Sequence, residues 1–123
     1  MYGRVLGAGL GLWVVGTLAF RLGGSAIIHP ATLARTIPSY IVNATLALVV
    51  SRLLFRWIGV PADARPAAIT LFILPTLVLD AFSTAFFPAV FPNLPPAAAP
   101  TFGGLMLVSA AGAVIGAWLP LPF

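Results

Sequence analysis

The amino-acid sequence predicts an all-α protein, a bundle of four transmembrane helices with N-terminus and C-terminus both cytoplasmic. Three observations predict it: too few charges to solvate a surface, four apolar runs of membrane-crossing length, and proline-rich or polar breaks between them. Of 123 residues, 61% are hydrophobic and 7% are charged, whereas a soluble domain carries roughly 25% charged residues. A water-soluble fold of this composition would expose large apolar patches and aggregate. Lipid as the solvent removes the conflict.

A helix needs about 20 apolar residues to cross a hydrocarbon core of about 30 Å. The first run covers residues 5–28 and is interrupted only by Arg21. The others cover residues 38–55, 67–87 and 101–119, and the whole chain reads as a single membrane domain, 1–123. Their apolar residues run continuously instead of alternating, which favours helices over barrel strands. His29-Pro30 closes the first run, and Pro38 fits the first turn of the second, where a missing N–H costs nothing. Residues 59–66 form a polar, turn-rich link. Pro88, Pro92, Pro95, Pro96 and Pro100 fill the third connection, which carries Phe91 and is expected to lie on the membrane surface. Pro120 and Pro122 close the chain. Arg4 ahead of an apolar run imitates a signal peptide. However, no Ala-x-Ala site follows, and Arg21 stands where a cleavage region would begin, so the run is expected to remain as a span.

Every cation is Arg, and the net charge is +4. The arginines are scattered between apolar runs, which argues against a nucleic-acid face and for contact with lipid headgroups. With four spans, Arg4, Arg52, Arg56 and Arg65 share one side, and Arg35, with Arg21 near it in depth, lies toward the other. The excess marks the first side as cytoplasmic, and the expected location is the inner (plasma) membrane of a bacterium. Tyr2, Trp57, Trp118 and Tyr40 fall near the interfaces, while Trp13 falls mid-span and reads as a packing residue. The absence of Cys rules out a disulfide framework or a thiolate metal site.

Two ionisable groups interrupt the apolar runs, Arg21 and Asp80. Each costs about 2.5–3.5 kcal/mol near the bilayer centre on insertion scales, so a partner is expected. Counted from the helix starts, both reach a similar depth. The expectation is therefore an Arg21–Asp80 ion pair between the first and third helices, serving either as register glue or as a titrating transport site. Thr76, Ser83 and Thr84 fall three to four residues from Asp80 and share its face, and Asn43 reaches the same leaflet. Pro75 adds a freed carbonyl. Arg52 and Arg56, one turn apart, are expected to snorkel to headgroups. His29 is a weak candidate ligand for a metal or a pigment magnesium, and no cofactor is expected.

Gly3, Gly7 and Gly11 repeat at four-residue spacing in the first helix, and Gly112 and Gly116 in the fourth. Small faces of this kind permit close helix contact in lipid. The two faces are expected to pack against each other or against a second copy.

The stretch Leu12 to Leu22, with Trp13, Gly16 and Arg21, resembles the start of a family of small bacterial integral membrane proteins of unassigned function. Leu74-Pro75 through Leu79-Asp80, Phe86-Phe87-Pro88 and Val90-Phe91-Pro92-Asn93 resemble that family's second half. The resemblance implies four helices over nearly the whole chain and implies no activity.

The chain carries no hydrolytic or phosphate-binding motif, which leaves enzyme chemistry few groups to use. Three function classes stay open: an accessory or structural subunit of a membrane assembly, a small transporter or permeation module built on Asp80, and a lipid- or pigment-binding protein. Expected partners are membrane lipids, a second copy or a larger complex, and no nucleic acid.

Overall fold

The computed structural model describes residues 1–26, 28 and 30–123. Helix α1 spans Tyr2–Gly23, α2 Leu33–Ile58, α3 Arg65–Ala85, α4 Phe87–Val90 and α5 Ala99–Trp118, and no strand occurs among the described residues. Short 3₁₀ turns precede α3 (Ala62–Ala64) and α5 (Pro96–Ala98). With these turns included, four of the helices, α1, α2, α3 and α5, are long and apolar enough to cross a membrane. That marks the chain as a multi-pass membrane protein.

Two helix ends differ from the sequence expectation. Helix α1 stops at Gly23 rather than near residue 28, because the Gly23-Gly24 pair has low helix propensity and the backbone passes into a 3₁₀ turn. Helix α2 begins at Leu33, after an extended Thr32, so Pro38 lies inside the helix and not in its first turn. Its missing N–H forgoes one bond to the Ala34 carbonyl close to the helix start. At its other end α2 stops on Gly59, whose φ of 87° is left-handed. The Val60 N–H closes back on the Phe55 carbonyl at 2.8 Å, which satisfies an otherwise free end group.

The four spanning helices form an open ring. Helix α2 packs along α5, α5 along α3, and α3 along α1, while α1 and α2 meet at only a few points. Two cores hold the ring, one at each end. The first joins Val5, Phe55, Ala68, Ile69, Phe72, Ala113 and Ala117, with Phe55 and Phe72 edge to face at 5.5 Å. The second joins Phe87, Phe91, Leu94, Ala98, Phe102 and Leu105. The third connection turns one set of its side chains into this core and leaves its prolines outside. Its Phe87 and Phe91 are buried against Phe102, and the Asn93 side chain donates to the Phe20 carbonyl at 3.0 Å, so residues 87–98 plug one end of the bundle.

Glycines set three of the contacts. A Cβ at Gly112 would collide with the Ala44 carbonyl, and one at Gly116 would stand 2.9 Å from the Leu48 side chain, so both glycines seat α5 on α2. Of the two expected arrangements, packing of this face against the glycines of α1 within one chain does not occur. Gly9 seats α1 on the Phe72 backbone in the same way. A methyl group added at Gly3, Gly7 or Gly11 would meet nothing within 4 Å, so these glycines hold no helix inside the bundle.

Candidate functional site

Between the two cores lies a cleft of about 270 Å³, walled by all four spanning helices. Its apolar lining comes from Leu12, Phe20, Phe72, Phe102 and Met106 among others. Leu12 and Leu46 line it and are 42% and 54% exposed, so the opening lies on the loosely closed side between α1 and α2. Ring closure fails there because neither helix turns a glycine contact toward the other. Gly9 of α1 faces Phe72 on α3, and Ala44 and Leu48 of α2 face α5.

Asp80 of α3 reaches into the cleft wall. Its Oδ1 accepts a hydrogen bond from the Trp13 indole N–H at 2.8 Å. Among the described residues no other donor from the protein reaches this carboxylate, which leaves Oδ2 unpaired. A buried indole N–H needs an acceptor, and a carboxylate in an apolar span needs a donor. Each group supplies what the other lacks.

Arg21 does not take part. It is exposed in the last turn of α1, and no ion pair with Asp80 forms. The two residues differ in level and in direction, since Asp80 meets Trp13 while Arg21 lies about two turns further on, in the last turn of α1. Gly9 marks the face of α1 that meets α3, and Trp13, four residues on, lies roughly 40° from it at 3.6 residues per turn. Arg21, twelve residues on, lies roughly 120° away by the same geometry.

The polar residues expected around Asp80 separate into two groups. Asn43 and Thr76 line the cleft with it, beside Thr17 and Ser109, which the sequence reading does not place there. Asn43 donates its amide to the Ser39 carbonyl at 2.9 Å, and the Thr76 hydroxyl donates to the Ile73 carbonyl at 2.6 Å. Ser83 and Thr84 do not line the cleft. Ser83 is buried, and the Thr84 hydroxyl donates to the Asp80 backbone carbonyl at 2.8 Å while its methyl faces Gly103.

Arg52 is 2% exposed and does not snorkel. Its guanidinium donates to the Gly116 carbonyl at 3.3 Å and the Leu121 carbonyl at 2.7 Å, and sits 5.8 Å from the centre of the Phe123 ring. The last carbonyls of a helix lack partners and carry partial negative charge, and Arg52 meets that need at the end of α5. Arg56, one turn away, is exposed. His29 lies outside the described residues. No group of three metal-ligating side chains occurs among those described.

Two participants escape the sequence reading. Trp13 reads there as a packing residue, although a mid-span indole N–H and a mid-span carboxylate are natural partners. Tyr40 reads as interfacial, but its hydroxyl donates to the Thr101 carbonyl at 3.2 Å and its ring fills the notch left by Gly104.

No curated protein and no solved structure matches the chain. One family model does, over residues 27–120, which include Asp80, Asn43 and Thr76 but not Trp13. The chain belongs to the family described as a family of unknown function (DUF5367).

Proposed function

We propose that this protein is a small binding or permeation module that admits an amphiphilic molecule from the bilayer between α1 and α2 and holds its polar end at Asp80. The observation that carries this reading is the cleft itself, open at Leu12 and Leu46 and ending on a carboxylate oxygen without a partner among the described residues. An apolar molecule gains little by moving from lipid tails into an apolar cavity, since the two solvents are alike. Selection must therefore come from the few polar groups, and these converge on Asp80. The arginine count supports an orientation with both termini cytoplasmic, in the inner (plasma) membrane. Arg56 remains free to contact headgroups.

Site-directed spin labelling tests this reading, because the chain has no native Cys. A nitroxide at Ser109, on the inner wall, is expected to collide with oxygen dissolved in the bilayer almost as often as one at Leu107, which is 65% exposed. A Ser109 nitroxide as shielded as one at Leu105, which is buried on the same helix and does not line the cleft, would mean the cleft is closed.

A second reading, an accessory subunit or homo-oligomer, is favoured by the empty space over Gly3, Gly7 and Gly11. Those glycines give α1 a smooth outer face suited to another helix. The particle mass in mild detergent tests it, and a monomer speaks against it.

A further inference from the structure

We infer that the molecule taken up by the cleft is a monocationic amphiphile, an amine or quaternary ammonium group on an apolar tail. This rests on the proposed role of the cleft and names its ligand class. Four features support it together. First, among the described residues the only ionisable side chain lining the cleft is Asp80, so the one charge the wall itself can carry is negative, and no cationic side chain of the wall compensates it. Second, Arg21 is exposed in the last turn of α1 and forms no ion pair with it. Trp13 fixes Oδ1 through a neutral N–H and leaves Oδ2 for a ligand. Third, the lining includes Trp13, Phe20, Phe72 and Phe102, and aromatic faces attract ammonium groups in addition to the carboxylate. Fourth, the remainder of the wall is largely aliphatic and accepts a tail.

Other ligand classes fit less well. A calcium or magnesium ion takes about six or more oxygen ligands, and this wall offers one carboxylate with scattered hydroxyl and amide groups, two of whose donors are committed to backbone carbonyls. An anionic amphiphile would place like charges together in a medium of low dielectric, where repulsion is strong. A neutral alcohol could bond to Oδ2 but would not compensate the negative charge that Asp80 carries when ionised.

The test compares octylammonium, octyltrimethylammonium, octanol and octanoate, which share a tail. Binding is read from Trp13 emission in bilayers, in a chain where Trp57 and Trp118 are replaced by Phe. An Ala47→Phe version, with the cleft filled, corrects for simple partitioning. The two ammonium compounds are expected to bind at least about tenfold more tightly than octanol, and octanoate not at all. Asp80→Asn is expected to erase the advantage of the cations. If octanol and the cations bind the wild-type protein equally, the ligand class is wrong and the cleft reading stands. If none of the four binds above the filled-cleft control, both fall. The comparison within the wild-type protein decides even where the Asp80 variant fails to fold.

Discussion

The indole nitrogen of Trp13 stands 2.8 Å from a carboxylate oxygen of Asp80, joining α1 to α3 across the middle of the bundle. Helix α1 packs mainly on α3, so this bond and the Gly9–Phe72 contact fix how far α1 leans toward α2. The width of the cleft opening depends on that lean.

Trp13→Phe keeps an aromatic ring and removes the donor. We expect a loss of about 1 kcal/mol, the scale of interhelical hydrogen bonds in membranes. A cycle with Asp80→Ala checks it in detergent unfolding. The two single losses should add up to more than the double loss, because the second substitution finds the bond already gone.

Arg52 and Arg56 look equivalent in sequence and are not equivalent in the fold. Arg52→Gln removes charged hydrogen bonds to the Gly116 and Leu121 carbonyls and should cost about 2 kcal/mol. Arg56→Gln should stay within about 0.5 kcal/mol, as exposed substitutions usually do. Equal effects at the two sites would contradict the buried placement of Arg52.

The glycines divide in the same way. Gly112→Ala places a methyl against the Ala44 carbonyl and should cost about 1–3 kcal/mol through overpacking. Gly7→Ala meets open space and should be neutral or stabilising by up to about 1 kcal/mol, since Ala is the better helix former. Thermal unfolding of the two variants side by side distinguishes these outcomes.

The orientation is tested with reporters. A fluorescent protein active only in the cytoplasm should be bright when fused after Phe123, and a periplasmic enzyme reporter at the same place should be silent. The reverse pattern would invert the topology.

The spans are legible in the sequence because membrane length and the cost of charge act on every residue of a run, as in residues 67–87. Direction around each helix axis is not. Arg21 and Asp80 agree in depth when counted from the expected helix starts, yet only the seating of Gly9 on Phe72 shows that α1 turns Trp13, and not Arg21, toward α3. Arg52 reads as a headgroup contact for the same reason, since nothing local to α2 reveals that the end of α5 and its tail lie over it. The prolines between residues 88 and 100 signal a turn but do not show that Phe87 and Phe91 point inward. Partner identity depends on packing among distant segments, and one sequence does not expose it.

The most direct test of the central claim is quenching of Trp13 by lipids with brominated acyl chains. The protein carries Trp57→Phe and Trp118→Phe, so Trp13 is the only tryptophan emitter, and it is reconstituted in bilayers. A cleft open between α1 and α2 predicts strong quenching that falls sharply when Ala47→Phe fills the space. Emission untouched by brominated chains, or quenching that Ala47→Phe leaves unchanged, would contradict an opening that leads from the bilayer to Asp80.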